Sequence, residues 1–570
     1  MLWLGLAVVA VAATLVQPAS WAHPYDWRYF ESLLEVARRT VAWYHQMPLW
    51  NPYQCGGEVL LANPQSEVAS PTFLFTLLFG TAVGIKLSLV VYWFCAFDGG
   101  FRLARHHGLS TAASMLGAVL YGGTGWLALH VASGHSNFAS AALFPYLLLF
   151  YRRALDEREW VIPLGAIAAW IVALGGTSTP AMAAVLLATM ATVDVVQRRS
   201  SAPYQVLLLG AASALVIGAM RILPATQFAF DHPRQAWETD ANSIWQILVN
   251  GFRWQGLSPV AGKRYWFHEY CWRMSFVVIP LAAWALYAKR ATRRYWVLAV
   301  VAGSIVAGAA IPYGPWWLLK HLPLYRDLRV PSRYSILLVL AVAMLAAGAF
   351  DELLARLKDH RRRTLIAAVV IVAAAGECLA FDWFCFRNTF TMKPRVAVEG
   401  TPFYQEQGEW RVMMDHILAG HGAIGCDEEA PLQRALQLDL GADKPQVKLA
   451  PGAGQLGVVT WTPNRVDVEV DLPAPQRVLF NQNWNEHWKT SAGVVVRDGP
   501  KVARDRDGGR LAVDAPAGKY TLVLRYRPTS FVLGAIVSGV GMPLLFVTFV
   551  VIRRRRRSAG PSSSTPASPR

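Results

Sequence analysis

Charge is scarce in this chain. Asp, Glu, Lys and Arg make up 16% of its 570 residues, against 54% hydrophobic residues and a mean hydropathy of +0.30. That balance excludes an ordinary soluble globule. Acidic residues are the scarcer sign, 37 against 54 Lys and Arg, for a net charge of +17. The distribution nevertheless argues against a nucleic-acid partner. Basic residues fall in short clusters between apolar runs: Arg102/Arg105, Arg152/Arg153, Arg198/Arg199, Lys289/Arg290/Arg293/Arg294, Arg361/Arg362/Arg363 and Arg553 to Arg557. Spaced like that, they are topology signals and not a binding face. Cysteine, at six residues, is too sparse for a disulfide framework, although Cys385 and Cys426 could form one bridge. Also missing are a phosphate-binding P-loop, dinucleotide-binding glycines, Cys/His metal spacing and a Ser-His-Asp order. No internal repeat stands out.

Long apolar runs are abundant. About twelve read as membrane spans: 2–19, 73–97, 111–130, 138–151, 160–176, 180–196, 203–222, 274–288, 295–311, 334–350, 364–382 and 530–552. Every basic cluster lies after an even-numbered span. With those loops cytoplasmic, both termini are inside, and the loops 21–72, 223–273, 312–333 and 383–529 are outside. The 23 Trp fit many membrane–water boundaries. Ser20-Trp21-Ala22 resembles a signal-peptidase site, but no basic residue precedes the apolar run, and an uncleaved first span is expected.

Two polar regions stand out. Residues 26–71 form far more than a turn between two spans and read as a structured outer loop. After Asp382 the composition turns polar and mixed. There Val466 to Leu472 alternates strictly, Tyr520 to Tyr526 is rich in strand formers, and Asp498-Gly499 and Asp507-Gly508-Gly509 signal turns. A small β-sandwich at 383–529 is expected, then a last span and a basic, Ser/Pro-rich disordered tail at 553–570.

The first polar region carries Asp26, Pro48-Leu49-Trp50-Asn51-Pro52-Tyr53, Gly56-Gly57 and Leu61-Ala62-Asn63-Pro64-Gln65. Further on come Arg329-Val330-Pro331-Ser332-Arg333, Asn483-Trp484-Asn485-Glu486-His487-Trp488, Pro516-Ala517-Gly518-Lys519-Tyr520 and Tyr526-Arg527-Pro528. In this order the chain resembles the YfhO-like membrane proteins, of the superfamily of glycosyltransferases with the C-type membrane fold. The resemblance implies residues 1–382 as a transmembrane catalytic domain, Asp26 as the catalytic acid, and inverting transfer from a polyprenyl-phosphate sugar.

That chemistry needs a carboxylate near the acceptor hydroxyl and cations at the phosphate. Just past the first span, partial desolvation of Asp26 should raise its pKa. Arg329 and Arg333 flank Pro331 in an outer loop, where guanidinium forks suit phosphate; snorkelling is the plain alternative. Arg28, His268 and Glu269 are weaker candidates, since Tyr265 to Tyr270 also reads as an interfacial helix. His135 reads as a contact to donor or acceptor, or as a solvated loop histidine. Asn51, Asn63 and Gln65 offer sugar-type hydrogen bonds, while the Pro and Gly around them fix the backbone. Gly122-Gly123 and Gly175-Gly176 read as helix-packing sites. The resemblance implies a divalent metal where two acids stand at this position; this chain has one, in Asp26-Trp27-Arg28, so no metal is expected, with a divalent ion as the unsupported alternative. The expected partners are membrane lipid, a polyprenyl-phosphate sugar donor and an envelope glycan acceptor, in a bacterial inner membrane. The competing readings are a lipid-linked glycan flippase, which should need charges inside the spans, and a non-catalytic assembly scaffold.

Overall fold

The computed structural model describes all residues except 23–25, 233–239, 289–292, 394–401, 409–412, 427–437, 500–508 and 559–570. The turn at Asp507-Gly508 and most of the tail lie outside the described residues. Seven helices among the rest are long and apolar enough to cross a membrane: Thr81–His106, Thr111–Ala132, Ser178–Arg198, Ala202–Asp231, Pro331–Arg356, His360–Phe386 and Thr529–Arg556. This is a multi-pass helical membrane protein. The other five expected spans correspond to shorter helices, Leu2–Ala10, Phe144–Asp156, Val161–Ala173, Val278–Ala285 and Arg293–Ala307. The expected span 138–151 opens as a buried 3₁₀ segment, Ser136–Leu143, and becomes α-helical at Phe144.

The spans carry more charge than their hydropathy suggests, and several of these charges are paired. Lys86 donates to the carbonyls of Gln17, Pro18 and Ser20, tying the first helix down. Arg221 donates to the carbonyls of Leu61, Asn63, Pro64 and Ser66. Arg152 and Arg294 share Asp194, and Arg273 meets Glu377 at 2.6 Å. These are structural pairings, as burial of an ion demands.

The 26–71 region is ordered throughout. It begins with the helix Trp27–Ala42, whose inward face buries Trp27, Phe30, Leu33 and Leu34. Glu35 within it accepts from Arg38, Arg39 and Thr81. The following motif packs onto the C-terminal region. Trp50 lies 4.8 Å from Tyr526 and 5.6 Å from Trp488, ring centre to ring centre. Its indole donates to Gln482. Asn483 donates to the carbonyls of Cys55 and Gly57. Gly57, at φ +108°, lets the backbone pass where a Cβ would sit 2.8 Å from the Trp50 ring.

Two four-stranded antiparallel sheets fill the C-terminal region. One orders strands 494–498, 510–515, 476–483 and 447–449; the other orders 455–462, 465–472, 518–526 and 488–490. The alternation behaves as expected, with Val466, Val468, Val470 and Leu472 buried. Cys426 pairs with Cys55 and not with Cys385. Cys385 is buried in the last turn of His360–Phe386. Backbone bonds from Ala423 to Tyr53, Gly56 to Ala423 and Cys55 to Gly425 run the two segments side by side and set Cys55 opposite Cys426.

Candidate functional site

The chain turns sharply where the helix Thr111–Ala132 ends, and that turn builds the site. Gly134, at φ +101°, brings its backbone so close to Asp26 and Trp27 that a Cβ would lie 2.3 Å from the Trp27 nitrogen. Only glycine fits there without moving one segment off the other. The Asp26 amide donates to the Ser133 carbonyl and the Trp27 indole to the Val131 carbonyl. The result sets the imidazole of His135 against the carboxylate of Asp26, with Nε2 3.0 Å from Oδ2. His135 is therefore buried, not solvated.

Asp26 opens into a cavity of about 140 Å³ that Gln65, His135, Asn137, Arg329 and Arg333 also line. Its side chain is 54% exposed, so the carboxylate is reachable. Gly175 and Gly176 belong to this site and not to helix packing. Both have positive φ, +82° and +81°, and a Cβ on Gly176 would meet the Asn137 amide at 2.7 Å. The Gly176 nitrogen donates to the Pro64 carbonyl. Gly122 and Gly123 do serve packing, against Phe97 and Cys378.

Behind Asp26 runs a chain of imidazoles. His135 Nδ1 is 2.9 Å from His130 Nδ1, and the His268 ring lies 5.1 Å from that of His135. With neutral rings, His135 donates from Nε2 to Asp26, so its Nδ1 must accept from His130. Burial pushes His268 down to about 4, against the pull of Glu269, so it is neutral at pH 7. Glu269 is ionised: burial raises it, but the charge and hydrogen bonds of Arg333 hold it well below 4.5. For Asp26, enclosure raises the pKa, but the hydrogen bond from His135, and the charge that His135 and then His268 carry once protonated in acid, outweigh it. The net direction is down from 3.8. The upward shift expected from desolvation is overturned by a partner that position alone does not reveal.

Arg333 is committed. Its Nε and Nη2 grip both oxygens of Glu269, its guanidinium stacks over Phe138 at 5.0 Å, and its carbonyl accepts from Trp126. The Nε–Nη2 edge is therefore closed to phosphate, and Arg333 offers its end-on edge, the Nη1 N–H groups with the second N–H of Nη2. Tyr265 to Tyr270 forms no interfacial helix: a 3₁₀ turn, Phe267–Glu269, pushes Phe267 and Glu269 into the interior. Arg329 lines the cavity half-buried. Arg28 is half-buried on the first helical turn and does not line it. Asn51 is spent inside its loop on Gln54, Glu58 and the Tyr53 amide. Asn63 donates to the Tyr29 hydroxyl. His130, Asn137 and Thr177 to Thr179 are additions to the sequence reading. An ionisable residue inside an apolar run, five positions before His135, was the available signal for His130.

Among the described residues, His130, His135 and Glu269 offer ligand atoms within 4.8 Å of one another. The set fits an oxygen-ligated divalent ion poorly. It is mainly imidazole, its one carboxylate is held by Arg333, and a guanidinium beside the site opposes a cation.

Beside this cavity, Ser136 donates to Glu67, whose enclosure pushes its carboxyl up to about 8 from 4.5. The folded state thus favours the protonated form. Its stability is greatest below the unfolded value near 4.5 and falls as pH rises toward 8. Glu67→Gln should flatten that decline when thermal midpoints are compared between pH 5 and 8. An unchanged slope would remove Glu67 as its cause.

No family model matches the chain, and no curated protein matches it. Among solved structures it is similar to ArnT from Cupriavidus metallidurans in the form bound to undecaprenyl phosphate, at 14% identity and a TM-score of 0.42, over 68% of this chain and 75% of that one. It is also similar to the arabinofuranosyltransferase AftD from Mycobacteria, at 14% and 0.46, over 92% of this chain and 40% of that one. A third is the Archaeoglobus fulgidus oligosaccharyltransferase, at 11% and 0.41, over 75% and 64%.

Proposed function

We propose that this chain is a membrane glycosyltransferase of the C-type fold, taking a sugar from a polyprenyl-phosphate donor and placing it on an extracytoplasmic envelope glycan or polymer. The observation that carries this reading is the convergence of Asp26, His135, Gln65, Arg329 and Arg333 on one cavity. A carboxylate, an imidazole, amide groups and guanidinium cations are what an acceptor hydroxyl and a sugar phosphate require. The chain would sit in a bacterial inner membrane with both termini cytoplasmic. It would cross about twelve times if the five shorter helices also span, with 21–72, 223–273, 312–333 and 383–529 outside.

The acceptor hydroxyl attacks the anomeric carbon from the face opposite the phosphate, so configuration inverts. The carbon–oxygen bond to phosphate breaks and its electron pair leaves with the phosphate. Asp26 Oδ2 is held by His135, which leaves Oδ1 to accept the hydroxyl proton. A carboxylate ionised this readily is a weak base, so much of its effect is orientation of the hydroxyl and stabilisation of charge as the proton departs. Arg329, with Nη1 of Arg333, neutralises the leaving phosphate. No metal takes part in this scheme, because Arg333 and His135 already provide the positive and polarising groups.

The test is the envelope glycan profile, by mass spectrometry, of a deletion strain complemented with wild type or Asp26→Asn. Loss of one modification in the deletion, restored only by wild type, is the expected result. Arg329→Lys keeps charge but loses the planar fork. Donor affinity should fall by about 1.5–3 kcal/mol, the range for a hydrogen bond to a charged group, read as a raised donor KM in membranes. An unchanged KM would take Arg329 away from the phosphate.

A further inference from the structure

A second cluster of ligand-type side chains lies in the C-terminal region, and none of its members lines the Asp26 cavity. Glu406 ends the short strand Gln405–Glu406, which pairs in parallel with Gly422–Ala423. His416 lies on the helix Met413–Ala419, and His421 follows the turn after it. The His421 amide donates to the His416 carbonyl at 3.1 Å and the Ile424 amide to the Glu406 carbonyl at 3.0 Å. The His421 ring stacks on Tyr404, centroids 4.6 Å apart and planes 14° apart, which fixes its direction. Gly408, at φ +47°, closes over His416 so tightly that a Cβ would meet its Nε2 at 2.9 Å. Both imidazoles aim Nδ1 at the same oxygen, Oε1 of Glu406, at 2.9 Å for His421 and closer for His416.

We propose that Glu406, His416 and His421 form a transition-metal site of the zinc type, with the fourth position open to solvent. Their ligand atoms lie within 4.8 Å of one another. A tetrahedral ion with bonds of about 2.0–2.2 Å needs ligand separations of roughly 3.3 Å, so side-chain shifts alone bring them into place. Two imidazoles and one carboxylate select a borderline ion over Mg²⁺ or Ca²⁺, which demand oxygen. Binding through Nδ1 moves that proton to Nε2 on each neutral ring. The ion would brace the helix Met413–Ala419. That helix packs on Trp27–Ala42, where Arg39 donates to the Ile417 carbonyl and Ser32 to the Met413 sulfur. A metal here would steady the helix that begins beside Asp26.

Full-length protein in detergent, stripped by chelator and titrated with Zn²⁺, tests this. Wild type should bind one equivalent and gain thermal stability on binding. His416→Ala, His421→Ala and Glu406→Gln should each weaken affinity by more than the roughly 10–100-fold that an outer-shell partner costs, while His130→Ala should bind normally. Absence of stoichiometric binding by wild type would overturn the site, as would full binding by the His416 and His421 variants. If those variants fail to fold, wild type alone decides. Zinc should protect His416 and His421 from diethylpyrocarbonate, read by peptide mass spectrometry. Protection confined to His130 and His135 would refute the assignment.

Discussion

Replacing Asp26 by Asn should lower sugar transfer by about 10²–10⁴-fold, the usual contribution of a positioned acid or base, while expression and membrane insertion stay intact. The side chain is half exposed and makes no helix-capping hydrogen bond, so the amide costs little in packing. What disappears is the charge that orients His135 and the oxygen that receives the hydroxyl proton. Because Asp26 ionises below 3.8, its acid limb lies below that pH. Any inflection in the rate above pH 5 therefore belongs to another group. The measurement is transfer from a polyprenyl-phosphate sugar in isolated membranes. A scaffold would tolerate the change, and a flippase would lose transport with sugar transfer unaltered. Full glycan modification in an Asp26→Asn strain would remove the main reason for regarding this chain as such an enzyme.

Local physics made part of this molecule legible. Strict alternation from Val466 to Leu472 writes a half-buried strand into consecutive residues, and the strand Arg465–Leu472 buries those four positions. Asp26, His135, Gln65, Arg329 and Arg333 could each be picked out by residue type and place in the membrane pattern, and they share one cavity. Their mutual commitments were not legible. Glu269 reaches Arg333 across 64 residues, and Cys55 reaches Cys426 across 371; nothing in either neighbourhood announces the partner. The same holds for the polar motif around Asn51. Its amides face its own loop, and its Trp50 faces the Asn483–Trp488 segment, so those two motifs form a docking surface between regions. Gly175-Gly176 misled for a related reason. A glycine pair beside an apolar run reads as close helix packing, whereas a positive φ, which marks a turn, is a property of the folded backbone alone.

The largest effect on stability should come from the pair behind the cavity. Glu269 is 4% exposed and Arg333 23%, so neither is well solvated. Removing one partner of a buried pair costs about 3–5 kcal/mol, because the survivor stays buried without its counter-charge. Glu269→Gln should fall at the lower end, since Arg333 keeps some contact with solvent and with Phe138. The pH dependence has a definite sign. A carboxyl held well below its unfolded value contributes stability above about 4.5, lost as pH falls through the lower folded value. Wild type should therefore lose stability on acidification below 4.5, and Glu269→Gln should show a shallower acid limb. Thermal unfolding in detergent across pH 3 to 7 reads both effects. Replacing the pair together, Glu269→Leu with Arg333→Met, should recover much of the lost stability, because both charges then leave the interior. Donor affinity should still be impaired, because Nη1 of Arg333 is gone. An unchanged midpoint in Glu269→Gln would show that the pair does not hold the site together. Normal donor affinity in the stable double variant would assign the phosphate to Arg329 alone.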